Sequence, residues 1–188
     1  MCGPIMSAIA SWNNPRIYVD VVEAVKGKFG NMVKARILQS LLLFACISLL
    51  LLLHNSFGGI IAASLGASGF ILFVIPHKSG SRARNLVGGY ACGAIAGILS
   101  NLLYGQVSGL SFPGVGYTLI FICAAAPGLA TFLMTTSNFI HPPAAALALG
   151  LSLEQGPECI KTAITAMAGV IILCLTRYIL RKYLKNLV

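Results

Sequence analysis

Charge is what this sequence has least of. Only 9% of its 188 residues are charged, against 57% hydrophobic, where a soluble domain carries about 25% charged residues. A chain this poor in charge cannot present a mostly wetted exterior. Acid is scarcest: the four carboxylates, Asp20, Glu23, Glu154 and Glu158, all lie outside the long apolar runs. No carboxylate pair is therefore available inside them. With no H-E-x-x-H helix and no nucleophile elbow either, enzyme chemistry is not expected. Six cysteines stand singly, without C-x-x-C spacing or a histidine cluster, and read as buried structural thiols. No metal and no cofactor is expected.

What charge there is has one sign. Thirteen Lys and Arg set a net charge of +9, and they are segregated. Arg16, Lys26, Lys28, Lys34 and Arg36 precede the first apolar run; Lys78, Arg82 and Arg84 share a short gap; Arg177, Arg181, Lys182 and Lys185 close the chain. The positive-inside rule accounts for basic clusters that flank apolar spans, so no nucleic acid is needed as a partner. The stretch MCGPIMSAIASWNN lacks the basic start of a secretory signal and the arginines of a transit peptide. The expected location is a prokaryotic plasma membrane, with lipid as the surrounding partner.

Along the chain, Asn13-Asn14-Pro15 reads as a helix start. Ile17, Val21, Val25, Phe29 and Met32 then recur at helical spacing, predicting an amphipathic helix within a cytoplasmic segment 1–36. It would lie on the membrane surface or against the protein's own cytoplasmic face. A transmembrane domain is expected over 37–181, followed by a basic cytoplasmic tail, 182–188. Candidate spans are 37–53, 57–75, 86–104 and 162–180, plus the stretch 114–152, which is too long for one crossing. Pro127, Pro142 and Pro143 interrupt that stretch. Counting it as two crossings gives about six and puts every basic cluster on the cytoplasmic side, both termini included.

A shift of about 77 residues lays the first half, 37–104, onto the second, 114–181. Three spans per half would make the halves inverted. The predicted fold is thus all-α, with about six transmembrane segments as a 3+3 inverted repeat. Its middle helices are expected to be broken. Ser64-Leu65-Gly66-Ala67-Ser68-Gly69 weakens one; Thr135-Thr136-Ser137-Asn138-Phe139-Ile140-His141-Pro142-Pro143 interrupts the other. The two prolines should orphan the carbonyls of Asn138 and Phe139 and start a new helix, whose free amides at Ala144 and Ala145 would face the break. A helix start inside a membrane is an anion site.

His141 is the ionisable group placed deepest, able to donate to an anion, carry a proton, or serve as a neutral strut. The candidate site comprises Ser64, Gly66, Ala67, Ser68, Ser137, Asn138, His141, Pro142, Pro143, Ala144 and Ala145. Arg82, Arg84 and Asn85 would line its cytoplasmic mouth, where the arginines concentrate anions or simply set topology. Gly89, Gly93 and Gly97 form a small-residue face for close helix packing, on another span or on another subunit of a homo-oligomer.

At His141-Pro142-Pro143 the chain resembles the HPP family of integral membrane proteins. The resemblance extends to Gly66-Ala67-Ser68 before Phe70-Ile71-Leu72-Phe73, and to Arg84-Asn85 before Gly88-Gly89. It covers roughly 37–181. Members from plants and cyanobacteria are associated with nitrite transport, so the resemblance implies a small-anion transporter or channel with nitrite as leading substrate. The chain departs from many relatives at Ala145 and Leu147, where a glycine and a polar residue are usual, and at Tyr90, where His or Asn is frequent. The rival expectation is a non-transporting scaffold or assembly protein that packs through the glycine face.

Overall fold

The computed structural model describes residues 15–53, 59–111, 113–154 and 158–187. Among them run six α-helices: α1 Pro15–Leu53, α2 Gly59–Val74, α3 Ala83–Ser108, α4 Val115–Thr136, α5 Pro143–Leu153 and α6 Glu158–Leu180. A 3-10 turn, Ser79–Ser81, precedes α3. No strand occurs among the described residues. Met32–Leu50 of α1, and α3, α4 and α6, are long and apolar enough to cross a membrane. Their outward faces carry Phe44, Ile120, Phe121, Ile164 and Ile179, each more than 60% exposed. Water would penalise that surface and lipid does not. The protein is an all-α, multi-pass membrane protein.

Two helices stop short. The 16 residues of α2 reach roughly 24 Å and the 11 of α5 roughly 16 Å, against a hydrocarbon layer of about 30 Å. Each is tucked inward. Helix α3 packs against α4, α5 and α6, while α2 packs against α1, α5 and α6. The core where they meet holds Leu65, Leu72, Phe73, Leu86, Leu147, Leu151 and Leu173, all essentially buried.

Three expectations are corrected. Helix α1 is continuous for 39 residues, so the boundary at 36/37 falls within it and no separate surface helix forms. Nothing in Val33–Ile37 supplies the proline or side-chain intrusion that a sharp kink requires. Next, α2 runs unbroken through Ser64 to Gly69. A glycine costs a helix only about 0.5–1 kcal/mol relative to Ala, less than unsatisfied backbone groups would cost in an apolar medium. Pro127 likewise lies inside α4 without ending it. The long apolar stretch does divide in two, but 137–142 is the link between α4 and α5, not a break within a middle helix, and α5 itself is continuous.

The end of α2 shows how a short helix is closed by groups from distant parts of the chain. Its last carbonyls have no partner of their own, and distant residues supply donors. Gln39 Nε2 donates to Phe73 O at 2.7 Å and to Lys185 O at 2.9 Å. The Leu187 N–H donates to Val74 O at 2.9 Å. Ser81 Oγ donates to Ile75 O at 2.6 Å, and Arg177 Nη2 to Pro76 O at 2.7 Å. The basic tail is therefore docked, with Leu184 buried and its carbonyl accepting from His77 Nε2 at 3.2 Å. Through Gln39, the end of the first basic stretch at Lys34 and Arg36 lies at the same end of the bundle as the 78–84 gap and the tail.

Single cysteines replacing Lys34, Arg82 or Lys182 on a cysteine-free background should therefore behave alike toward a membrane-impermeant maleimide. All three should stay unlabelled in intact cells and react after permeabilisation. Labelling of one from outside while the others stay protected would break the shared-end arrangement.

Candidate functional site

The chain reverses between α4 and α5 in six residues, and the reversal is built on Asn138. Its φ of 57° is left-handed, a region in which Asn is among the few non-glycine residues tolerated. The Phe139 N–H then donates to Met134 O at 2.9 Å and the Asn138 N–H to Thr135 O at 3.4 Å, the paired bonds of a Schellman closure. Asn138 itself is exposed. Phe139 turns back over α3, where Gly88 leaves room for its ring and the Arg84 guanidinium lies 5.0 Å from the ring centroid. Pro142 caps α5 and Pro143 opens it.

This corner delivers the His141 side chain, fully buried, against α2 and α3. Its Nε2 is 2.9 Å from Ser68 Oγ. Ser68 Oγ is 2.8 Å from the Tyr90 hydroxyl, which is 2.6 Å from Ser64 Oγ. At the other side of the ring, Nδ1 lies 3.2 Å from Gly80 O in the 3-10 turn. The four side chains Ser64, Ser68, Tyr90 and His141 are all 0% exposed. The conformation is closed over them.

Partner chemistry orients the protons. A carbonyl only accepts, so Nδ1 carries the ring proton toward Gly80. With a neutral ring, Nε2 accepts and Ser68 must donate to it. Tyr90 then donates to Ser68, and Ser64 to Tyr90. Each group holds one proton and fills one bond. A second arrangement is at hand, because Ser68 Oγ also lies 3.0 Å from Ser64 O. If Nε2 gains a proton and donates to Ser68, the Ser68 proton can turn to that carbonyl.

Of the residues expected here, Ser64, Ser68 and His141 come together and several do not. The amides of Ala144 and Ala145 donate to His141 O and Pro142 O, both at 3.0 Å. They are not free to bind an anion, because the first turn closes tightly on itself. Ser137 Oγ donates to Leu133 O at 2.5 Å, within its own helix end. Ala67 and Pro142 face outward, and Gly66 borders open space. Arg82 and Arg84 are exposed on the basic end, and Asn85 Nδ2 bonds Ser79 O at 2.9 Å, bracing the turn that holds Gly80. Tyr90 and Gly80 are the members that sequence reasoning missed. A phenol inside a span needs a hydrogen-bond partner when buried, which was a usable signal for Tyr90; for Gly80 there was none.

The glycine face is spent inside the chain. A methyl on Gly89 would sit 2.6 Å from His141 Cβ, and one on Gly97 2.7 Å from Leu151 Cβ. One on Gly93 would collide with the Ala144 carbonyl. These glycines let α3 approach α5 closely enough to seat the corner. A separate open cleft of ≈ 660 Å³, bordered by Asn101, Tyr104, Gln106 and Glu154, lies toward the far end of α3.

The family description "HPP, transmembrane region" matches residues 30–186. The chain belongs to the HPP family. No curated protein and no solved structure matches it. In this HPP chain the His-Pro-Pro tripeptide has two structural tasks: His141 enters the buried polar chain, and the prolines begin the short helix behind it.

The α3–α5 contact can be tested by thermal melting in detergent. Gly93→Ala should cost about 1–3 kcal/mol, because its neighbour is backbone and cannot move aside alone. Gly105→Ala, with nothing within 4 Å, should not lower the melting temperature. At the corner, Asn138→Gly should be tolerated while Asn138→Val should destabilise by about 1–2 kcal/mol. Equal stability for the Gly and Val variants would refute the left-handed role.

Proposed function

We propose that this HPP-family chain carries a small inorganic anion across the membrane, with nitrite the leading substrate. One observation supports the reading above others: a fully buried chain of three hydroxyls and an imidazole, with no carboxylate among its partners. A cation would need anionic oxygens or carbonyls turned toward it, and the two carbonyls here, Gly80 O and Ser64 O, lie against His141 Nδ1 and Ser68 Oγ instead. Hydroxyl and imidazole donors suit an anion. Binding by neutral donors is weak, which favours release.

In this reading Ser64, Ser68 and Tyr90 turn their donors from each other to the anion when the site opens, and His141 joins them through Nε2 once that atom is protonated. Lys78, Arg82 and Arg84 at the nearby basic end concentrate anions by their field, an effect that salt weakens. Positive-inside bias makes that end cytoplasmic. Each half of the chain has a short helix between two long ones, and the short pair, α2 and α5, packs together with Ser68 of α2 bonded to His141 just ahead of α5. That pattern favours a 3+3 inverted repeat, the form in which transporters often build a site between halves. The scaffold reading loses its motive, since the glycine face it relied on is occupied by α5.

Purified protein in liposomes tests the proposal, with nitrite flux measured above empty vesicles across pH 5–8. Flux should rise toward acid pH, as protonation gives His141 a second donor and a charge. His141→Ala should flatten that profile, and Arg82→Ala should chiefly reduce the salt dependence. If protein-containing vesicles pass nitrite no faster than empty ones at any pH, the nitrite assignment falls.

A further inference from the structure

We infer that transport is coupled to protons: one proton reaches His141 through Ser64, Tyr90 and Ser68 for each anion carried, so that the anion is neutralised beside the imidazolium and proton and anion cross together without net charge. This rests on the anion-transport reading above and goes beyond it by naming the coupling ion and its route. The first observation is the proton count. With Nδ1–H held by Gly80 O at 3.2 Å, the bonds of 2.6, 2.8 and 2.9 Å all point toward Nε2, which gives an unbroken relay with one direction. The second is electrostatic. A bare anion in this enclosed place has no fixed countercharge, and an unpaired buried charge is strongly disfavoured. His141 is the one member of the chain that can become a cation.

The groups around the ring leave it that role. From α2 it faces the hydroxyl of Ser68, with Ser64 beyond. From α3 it faces Tyr90, whose ring centroid is 5.7 Å away, and the backbone at Gly89. The 3-10 turn presents the Gly80 carbonyl, flanked by Lys78 and Arg82 on the exposed side. On the corner itself Arg84 is held at the Phe139 ring, and Cys92 lies 3.7 Å from Ser137 Oγ. Helix α5 has no ionisable side chain.

The step balances without any change in heavy-atom bonding. When the site opens on the side away from the basic end, a hydronium proton taken up at Ser64 Oγ releases that hydroxyl's own proton to Tyr90. Tyr90 passes its proton to Ser68, and Ser68 passes its own to His141 Nε2. The product is an imidazolium with Nδ1–H still on Gly80. The anion binds beside it. When the site opens to water at the basic end, Nε2 returns its proton to water as the anion leaves, and the hydroxyls rotate back. Along α2, Ser64 stands one turn farther than Ser68 from the basic end, so the relay runs from the opposite side toward it.

The test is initial nitrite flux into proteoliposomes, corrected for empty vesicles, with membrane potential and pH gradient set independently by a potassium–valinomycin clamp. A lone anion would feel the potential as about fifty-fold in distribution per 100 mV. Wild-type flux should instead change less than about twofold over that range and should rise with a proton gradient of matching direction. Tyr90→Phe removes one proton from the relay and keeps the ring; the protons moved per anion should fall, and residual flux should become potential-sensitive. Ser64→Ala tests the same relay if the Tyr90 variant does not fold. Full potential dependence in the wild type would overturn coupling while leaving anion transport standing. Variants that remain potential-insensitive and proton-driven would overturn the route. Absence of flux above empty vesicles for any anion removes the transport reading, and the coupling with it.

Discussion

A helix that ends within an apolar medium leaves its last carbonyls and first amides with no water to satisfy them, and this bundle contains two helices that end early. Each unsatisfied group costs several kcal/mol in that setting. The arrangement of the other elements answers that demand. Gln39 from α1, Ser81 from the 3-10 turn, Arg177 from α6 and the backbone of Leu187 all converge on the end of α2. The corner before α5 closes on itself, with Asn138 in the left-handed region and the amides of Ala144 and Ala145 bonded to the two residues before them. The tail is docked for the same reason.

The polar chain at His141 follows from the same constraint, applied to side chains. Four polar side chains lie where α2, α3 and α5 meet, and each finds a partner within the chain. A half-satisfied network would destabilise the core; a complete one can be tolerated and made rigid. Rigidity here is conditional. The network has a second bonding pattern through Ser64 O at 3.0 Å from Ser68 Oγ, and moving one proton onto Nε2 is enough to exchange one for the other.

Packing makes that placement possible. The side chains of Phe139 and His141 can reach their positions only because α3 offers Gly88 and Gly89 beneath them, and α5 can follow only because Gly93 and Gly97 carry no Cβ. Small residues in membrane helices substitute close van der Waals contact for the hydrophobic drive that lipid cannot provide. In this chain that contact fixes the depth and direction of the His141 side chain as well as holding two helices together.

The membrane class was legible from charge scarcity alone, and the division of the long stretch 114–152 into two helices from the requirement that basic clusters share a side. Ser64, Ser68 and His141 could be singled out because polar residues deep in apolar runs are costly and therefore informative. The rest was decided by tertiary structure. Whether Gly66 breaks a helix depends on what surrounds it, and in an apolar medium the continuous ladder of α2 wins. Whether the amides after Pro143 are free depends on the dihedrals of the preceding turn, where Pro142 stays in the helical region and lets them close on carbonyls at 3.0 Å. Asn138 looked like a ligand by its chemistry and serves instead by its backbone. Tyr90 and Gly80, far apart in sequence from His141, enter the site only through the approach of α3 and the 3-10 turn. Composition and periodicity report how much polar surface a span can bear; they carry no information on which distant group will satisfy it, because that is set by helix packing in three dimensions.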